Sequence, residues 1–320
     1  MQHQAAFQEL KHYLSEHIIG QQHLVERLLI ALLADGHLLV EGAPGLAKTK
    51  AIKDLSRKLE GNFQRIQFTP DLLPADITGT EIYRPETGNF QFQPGPIFHN
   101  LILADEINRA PAKVQSALLE AMAERQVSVG SRTMPLERLF LVMATQNPIE
   151  QEGTYPLPEA QLDRFLMHVR IGYPDLEAER RILKLARNEV LHPADLAAGE
   201  RITQADIFAA REAIQSLYMA EPVEEYIVQL IMASRAPGQY APRLASWIQY
   251  GSSPRGTIAL DRCARAHAWL QGQDFVSPDN VQAVLHDVLR HRLLLSFEAE
   301  ADGITTDRVI DELLQLVPVT

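Results

Sequence analysis

The sequence predicts an α/β fold, in which helices flank a parallel sheet, followed by an all-helical domain. Short apolar runs of strand length recur at residues 37–41, 101–104, 139–144 and 167–171, and helical patterns separate them. Strands that alternate with helices are typical of a parallel sheet covered on both faces. After Pro174 the apolar residues follow helical spacing alone. We therefore expect a domain boundary near this proline.

The length of the chain supports two domains. Its 320 residues exceed the size that one hydrophobic core usually serves. A hydrophobic content of 46% and a charged content of 22% are ordinary for a globular protein. We place the α/β core at residues 1–173 and the helical domain at residues 174–320.

Helical periodicity in the second domain is clearest in five segments. They are residues 176–188, 203–219, 222–234, 254–270 and 278–293. Two of these segments begin with favourable N-terminal residues, Thr203 with Asp206 and Ser277 with Pro278. Strand patterns of comparable strength do not occur there, which indicates a domain built from helices.

Composition and charge restrict the classes of function. The net charge is −11, from 30 basic and 41 acidic residues, which argues against a broad nucleic-acid surface. The single cysteine, Cys263, excludes an internal disulfide and fits a reducing compartment. The longest apolar stretches, residues 28–34 and 139–144, are shorter than the roughly 20 residues of a membrane helix. Residues 1–11 lack the apolar centre of a secretory signal, so we expect a cytoplasmic protein without a membrane span.

A glycine-rich loop joins the first predicted strand to a predicted helix at residues 50–59. The loop and the first helical residue are Gly42, Ala43, Pro44, Gly45, Leu46, Ala47, Lys48, Thr49 and Lys50. This context is that of a P-loop, whose backbone N–H groups and helix N-terminus bind phosphate. We expect these residues to bind ATP, with Lys48 on the β- and γ-phosphates and the Thr49 hydroxyl on Mg²⁺. Ala47 occupies a usual glycine position and is unfavourable if φ is positive there.

The apolar run at residues 101–104 ends in two carboxylates, Asp105 and Glu106. Asp105 can hold the hydration shell of Mg²⁺, and Glu106 can orient and deprotonate the attacking water. A kinase does not need a residue that activates water, so this pair favours hydrolysis of ATP over transfer of its phosphoryl group. The sequence therefore predicts an ATP hydrolase.

Three segments carry a resemblance to a known family. The P-loop residues 42–49, residues 103–111 and residues 144–165 resemble the MoxR family of AAA+ ATPases. In that family alanine before the lysine is usual, so Ala47 supports the assignment. The resemblance extends over about residues 18–255 and implies a P-loop AAA+ core followed by a helical lid domain.

The resemblance also implies roles for residues outside the P-loop. The segment that lies against the adenine corresponds to Ile18, Ile19, Gly20 and Gln21. Asn147 matches sensor 1, whose amide positions the attacking water. Arg164 matches the arginine finger, which acts on the nucleotide of the neighbouring subunit, and Arg255 matches sensor 2, a lid arginine that reaches the γ-phosphate. For Arg109 two interpretations remain open, a contact across the subunit interface and a solvated side chain.

Two segments of the core read as β-hairpins. Residues 76–96 contain a turn-rich stretch between short apolar segments, and residues 127–136 alternate before Gly130. The resemblance identifies them as the helix-2 insert and the pre-sensor-1 hairpin, which face the pore or the substrate in this clade. It implies a homo-hexameric ring that remodels or activates protein clients. It also implies a partner with a von Willebrand factor A domain, and many members of the family assist metal or cofactor insertion.

Three alternatives stand beside this interpretation. The motor subunit of a metal chelatase shares the helix-2 insert, but residues 108–111 and 150–155 favour MoxR. A nucleic-acid motor would need basic hairpins, which offer Arg84 and Arg132, with Glu81 and Glu86 offsetting the charge. A scaffold with negligible turnover would not need the complete set formed by Asp105, Glu106, Asn147 and Arg164.

Overall fold

The computed structural model describes residues 2–86, 88–130, 132–148, 153–191 and 201–319. Three parts of the predicted features lie outside the described residues. They are Thr87 of the first hairpin, Ser131 of the second, and residues 149–152 of the long segment that resembles the MoxR family.

The N-terminal part alternates strands and helices. Its strands are β1 (Leu38–Glu41), β2 (Phe63–Gln67), β3 (Gly79–Arg84), β4 (Asn89–Pro94), β5 (Leu101–Asp105), β6 (Gln126–Val129), β7 (Arg132–Pro135), β8 (Leu141–Gln146) and β9 (Met167–Arg170). Its helices are α1 (Gln2–His17), α2 (Gln22–Leu33), α3 (Lys48–Lys58), α4 (Pro74–Thr78), α5 (Ala112–Glu124) and α6 (Glu159–Leu162). Short 3₁₀ turns lie at Pro96–Phe98 and Ile107–Arg109.

A parallel sheet with the strand order β2-β5-β8-β1-β9 forms the centre of this part. All four predicted strands belong to it. The sequence did not predict β2, because this edge strand is mostly polar and only partly buried. By contrast, β5 is buried along its whole length, which explains its continuous apolar pattern. The parallel α/β core is confirmed.

Both predicted hairpins form. Strands β3 and β4 pair antiparallel from Gly79 with Pro94 to Arg84 with Asn89, and β6 pairs with β7. The first hairpin exposes an aromatic pair, Tyr83 and Phe90, whose ring centroids are 5.3 Å apart.

Helices dominate the C-terminal part. They are α7 (Leu176–Leu191), α8 (Gln204–Gln215), α9 (Glu221–Arg235), α10 (Pro242–Trp247), α11 (Pro254–Leu270), α12 (Pro278–Leu289), α13 (Phe297–Ala301) and α14 (Thr306–Leu316). Short strands join them, namely β10 (Tyr218–Met219), β11 (Ile248–Tyr250), β12 (Phe275–Val276) and β13 (Leu294–Leu295). The five predicted helices are present. The sequence did not predict α10, α13 or the short strands, because elements of two to six residues carry too few positions to show a period. It also did not predict α14, although this helix has 11 residues and its buried Val309, Ile310 and Leu313 follow helical spacing. Among the described residues, we find no helix with the length and apolarity needed to cross a membrane.

A buried ion cluster ties the two parts together. On α12, Asp287 is only 3% exposed and accepts a hydrogen bond of 2.7 Å from Arg27 Nε of α2. His23 of α2 and Arg290 lie 3.0 Å from the same carboxylate. Burial alone would raise the pKa of Asp287, but His23 and Arg27 outweigh burial and hold this pKa below its usual range. The cluster therefore requires an ionised Asp287.

We predict that Asp287→Asn lowers the free energy of unfolding by about 3 kcal/mol, because it removes the most deeply buried countercharge of Arg27. Arg27 then keeps only its ion pair with the less buried Glu26, at 2.8 Å, among the described residues. Urea unfolding followed by circular dichroism measures the change. The control is Asp311→Asn, since Asp311 is exposed and contacts only the partly exposed His286 in the described part of the chain.

The pH dependence of this effect has a defined sign. A depressed folded-state pKa means that Asp287 contributes fully above the pKa of an unfolded aspartate, about 3.9, and loses its contribution as the pH falls through the folded value. The difference in stability between wild type and Asp287→Asn should therefore shrink below about pH 4. Equal unfolding midpoints for both proteins at neutral pH would contradict the assigned role of Asp287.

Candidate active site

The glycine-rich loop leads from β1 directly into α3 with two left-handed residues. Gly45 has φ +83° and Ala47 has φ +60°. Ala47 is the N-cap residue of α3, so its conformation sets how the loop enters the helix. Gly42 must be glycine for another reason, because a Cβ there would lie 2.4 Å from Ile171 Cγ1. Ala47 therefore does adopt the positive φ that is unfavourable for alanine.

A cavity of about 350 Å³ opens over this loop. It is lined by Pro44, Gly45, Leu46, Ala47, Lys48, Thr49, Lys50, Asp105, Glu106 and Asn147. Gly42 and Ala43 are buried beneath it. Lys48 Nζ donates to Gly42 O at 2.5 Å and to Gln146 O at 3.4 Å. Burial lowers the pKa of Lys48, and the carboxylates of Asp105 and Glu106 oppose this shift.

The acidic pair is held by the neighbouring strands. Asp105 Oδ1 accepts a hydrogen bond of 2.6 Å from Thr145 Oγ1, and Asp105 Oδ2 accepts one of 2.7 Å from Arg65. The Thr145 hydroxyl also accepts from the backbone N–H of Glu106 at 2.9 Å. A single hydroxyl at the end of β8 therefore aligns both acids at the end of β5.

Glu106 sits in a strained conformation. Its φ of +57° is left-handed, which costs a non-glycine residue about 1–2 kcal/mol. Such strain persists only where the surroundings fix it, and it clusters at functional sites. Glu106 Oε2 accepts hydrogen bonds from Gln67 Nε2 at 2.8 Å and from Arg109 at 3.1 Å. Arg109, whose role the sequence left open, thus contacts Glu106 within the same chain.

Sequence reasoning did not find Arg65, Gln67 or Thr145. Arg65 and Gln67 are alternate residues of β2 and point to the same side of the sheet, toward the acidic pair. This alternation would have been informative, but β2 itself was not recognised as a strand. Thr145 was visible only as the residue before Gln146 and Asn147 in the segment that resembles the MoxR family.

A second cavity of about 290 Å³ adjoins the phosphate cavity. It is lined by His17, Ile19, Gln21, Pro44, Gly45, Leu46, Ala47, Lys50, Tyr173, Pro174, Glu179, Ile182, Leu185 and Ala186. The two cavities share the loop from Pro44 to Ala47 and also Lys50. Its lining includes the apolar side chains of Ile19 and, from α7, Ile182 and Leu185, and apolar walls of this kind suit an aromatic base.

The segment expected to lie against adenine divides into two pairs. Ile19 and Gln21 line the second cavity, and Gln21 Nε2 donates to Gly172 O at 2.9 Å. Ile18 is fully buried in the core, and Gly20 turns the chain with φ +78°. A Cβ on Gly20 would lie 2.8 Å from Pro174 Cβ, so only glycine satisfies both the conformation and the contact.

The two predicted arginines lie apart from this set. Among the described residues, the linings of the two cavities include neither Arg164 nor Arg255. Arg164 follows α6, and Arg255 lies in the first turn of α11. The two segments contact each other, because Ser253 Oγ donates to Asp163 Oδ2 at 2.8 Å. The structure therefore brings together Lys48, Thr49, Asp105, Glu106 and Asn147 in one place and the two arginine segments in another.

Comparison with known proteins agrees with this architecture. The ATPase family associated with various cellular activities (AAA) matches residues 37–167, and the AAA lid domain matches residues 241–313. Chaperone MoxR1 of Mycobacterium tuberculosis is 48% identical over 94% of this chain and 78% of its own length. Protein MoxR of Methylorubrum extorquens is 35% identical over 87% of this chain and 84% of its own. A crystal structure of a Cytophaga hutchinsonii protein, 44% identical, has a TM-score of 0.92 and covers 99% of this chain and 96% of its own.

The sheet, the phosphate loop and the acidic pair define a P-loop ATPase of the AAA+ class with a helical lid. Within that class, the chain belongs to the MoxR family. It is a nucleotide-binding protein and an ATP hydrolase. The sequence-based predictions of family, fold and ATPase activity are confirmed.

We predict opposite effects of two substitutions at Ala47. Valine is strongly disfavoured at positive φ, so Ala47→Val should distort the loop and weaken ATP binding at least about tenfold. Ala47→Gly accepts this φ freely and should bind ATP within about threefold of wild type. Titration with a fluorescent ATP analogue measures both affinities. Wild-type affinity in Ala47→Val would show that binding does not need the left-handed conformation.

Proposed function

We propose that this MoxR-family ATPase hydrolyses Mg²⁺-bound ATP at the interfaces of a homo-hexameric ring and uses the energy to remodel or activate client proteins. One observation carries the proposal. Every predicted catalytic group except two arginines faces the chain's own phosphate cavity. The charge that develops on the γ-phosphate needs cationic stabilisation beyond Lys48. A second copy of the chain can supply Arg164 and Arg255 together.

The donor set suits a magnesium ion that arrives with the nucleotide. The Thr49 hydroxyl and the Asp105 carboxylate both line the phosphate cavity. Mg²⁺ in such sites uses one or two protein oxygens, phosphate oxygens and water, so it does not need a cage of protein ligands. This agrees with the finding that the described residues contain no cluster of three His, Cys, Asp or Glu suited to a metal. Bound Mg²⁺ would neutralise phosphate charge and shield the leaving group.

The remaining groups have complementary roles in this proposal. Lys48 binds the β- and γ-phosphates, and the backbone N–H groups of the loop complete the phosphate cradle. Glu106 accepts a proton from the attacking water while Asn147 orients that water. Ile19 and Gln21 border the base, with Ile18 and Gly20 supporting them from the core.

Two observations support a chaperone-like role. MoxR1, with 48% identity, is described as a chaperone. The first hairpin presents Tyr83 and Phe90 to solvent, 52% and 62% exposed, which fits an apolar contact with a client polypeptide. We also propose a cytoplasmic location, a partner with a von Willebrand factor A domain, and a core that ends near residue 173. Assistance in metal or cofactor insertion belongs to the same proposal.

The described part of the chain does not favour a nucleic-acid motor. On the first hairpin, Arg84 donates to Gln91 at 3.1 Å, and the hairpin also carries the acidic residues Glu81 and Glu86. The family assignment also favours the MoxR interpretation over a metal chelatase motor.

We predict that Glu106→Gln binds ATP with near wild-type affinity and hydrolyses it at least about 100-fold more slowly, since the amide cannot accept the proton. Phosphate release measures turnover, and the exposed Glu137→Gln is the matched control. Normal turnover in Glu106→Gln would remove this residue from its assigned role. The same variant, arrested with ATP, provides a trap for the proposed clients. Recovery of nucleic acid alone would contradict a protein client.

We predict that Arg164→Ala and Lys48→Ala are each inactive alone and that mixing the two proteins restores ATP hydrolysis. In a mixed ring, an Arg164→Ala subunit keeps an intact phosphate loop and receives Arg164 from a Lys48→Ala neighbour. The loss in Arg164→Ala alone should reach about 1,000-fold.

The control replaces the donor protein with the double variant Lys48→Ala/Arg164→Ala, which offers no finger and should restore nothing. Absence of rescue in the first mixture would contradict action on a neighbouring subunit. A protein that stays monomeric in light scattering with saturating ATP and Mg²⁺ would contradict the ring.

A further inference from the structure

The residue before the predicted arginine finger is held by the N-cap residue of α11 and by a residue of the turn that follows α12. Asp163 Oδ1 accepts a hydrogen bond of 2.8 Å from Arg292 Nε. Asp163 Oδ2 accepts one of 2.8 Å from Ser253 Oγ. Both carboxylate oxygens are thus engaged by partners that lie 129 and 90 residues away along the chain.

The Arg292 side chain also binds backbone carbonyl groups of the segment that follows Asp163. Its side chain is only 3% exposed, and its terminal nitrogens donate to Phe165 O at 2.6 Å and Leu166 O at 3.1 Å. The ring of His291 lies 3.0 Å from Phe165 O. Burial lowers the pKa of Arg292, and the charge of Asp163 opposes this shift. The segment around Arg164 therefore depends on an ion pair with the C-terminal part for its position.

The second partner of Asp163 belongs to the helix that carries Arg255. Ser253 is the N-cap residue of α11, and its Oγ accepts the backbone N–H of Arg255 at 3.2 Å. The same hydroxyl donates to Asp163. The Ser253 hydroxyl therefore connects the backbone N–H of Arg255 to the carboxylate of Asp163, the residue that precedes Arg164.

We propose that Asp163 is a positioning residue that fixes Arg164 in place relative to Arg255. Both guanidinium groups would then reach a neighbouring subunit's nucleotide as one preorganised unit. This inference rests on the proposed action of Arg164 across the subunit interface. Arginine side chains are flexible, and electrostatic stabilisation of a transition state requires donors already in place. Errors of about 1 Å in such placement can reduce rates by about 100-fold.

Two substitutions at Ser253, by aspartate and by asparagine, test the connection between Asp163 and Arg255. The two new side chains have the same shape as each other and differ in charge. Aspartate and asparagine are both good N-cap residues, so either retains an acceptor for the Arg255 N–H. Only asparagine can donate to Asp163, whereas aspartate repels it. A cavity of about 160 Å³ beside Ser253 and Asp163 provides room for the longer side chains.

We expect Ser253→Asn to keep kcat within about threefold of wild type and Ser253→Asp to lower kcat at least about tenfold, with similar KM for ATP in both. KM should change little because the substitution leaves the phosphate loop intact. Thermal unfolding should give similar midpoints for the two variants. Equal kcat values for Ser253→Asp and Ser253→Asn would overturn the proposal.

A double-mutant cycle separates positioning from a structural role. In the Arg164→Ala background, Ser253→Asp should reduce kcat much less than in wild type, because the group that it misplaces is already gone. The same fold reduction in both backgrounds would overturn the proposal. If Arg164→Ala itself keeps wild-type kcat, the interfacial role of Arg164 fails instead, which distinguishes the two failures.

A second pair covers the case in which Ser253→Asp does not fold. Ser253→Thr keeps both hydrogen bonds of the hydroxyl, and Ser253→Ala removes both. Rescue by threonine of the kcat lost in Ser253→Ala, at similar KM, would support the proposal, and equal kcat values for alanine and threonine would overturn it.

Discussion

The parallel pairing of β5, β8 and β1 is the constraint on which the rest of the site depends. Their carboxyl ends meet at one edge of the sheet, with Glu41 paired to Gln146 and Ala104 paired to Ala144. This register places the phosphate loop beside the acidic pair and puts Thr145 within reach of both acids. A slip of one residue would turn these side chains to the opposite face. The buried strands therefore specify the chemistry as well as the core.

Local strain at this edge shows that the geometry of the site takes precedence over local conformational preference. Ala47 and Glu106 both adopt left-handed φ values. Glu106 comes directly after β5, and Ala47 ends the loop that follows β1. Neither conformation would persist in an isolated peptide, since each costs about 1–2 kcal/mol. They persist because packing and hydrogen bonds around them are extensive. At Glu106, for example, the backbone N–H donates to Thr145, and the carboxylate accepts hydrogen bonds from Gln67 and Arg109.

The sequence predicted the parts of this molecule whose signals are local. Fully buried strands such as β5 read as apolar runs, and the phosphate loop reads as eight consecutive residues. The sequence did not predict strand β2, because this strand lies at the exposed edge of the sheet and is mostly polar. For the same reason it did not predict the positions of Arg65 and Gln67. Contacts such as Asp163 with Arg292 leave no local pattern, because the two residues lie 129 positions apart and meet only after the helical part has packed. Sequence motifs thus named the chemical groups, but they did not reveal what holds those groups in place.

The separation of the proposed catalytic groups into two sets follows from where each group is anchored. Lys48, Thr49 and the acids depend on the sheet, whereas Arg255 belongs to the helical part. The segment of Arg164 joins the two, because it leads into β9 and also binds Ser253 and Arg292 through Asp163. The Arg164 segment is also tied to the sheet, because Leu166 N donates to His37 O at 2.8 Å just before β9. A rotation of the helical part relative to the sheet would therefore act on the contacts of Asp163 with Ser253 and Arg292 and change the position of Arg164 relative to Arg255. In the proposed ring, with the proposed action of Arg164 on the adjacent subunit, such a rotation in one subunit would change the charge stabilisation at its neighbour's nucleotide. Within that proposal, the ion pair of Asp163 with Arg292 connects the position of the helical part in one subunit to hydrolysis in the next.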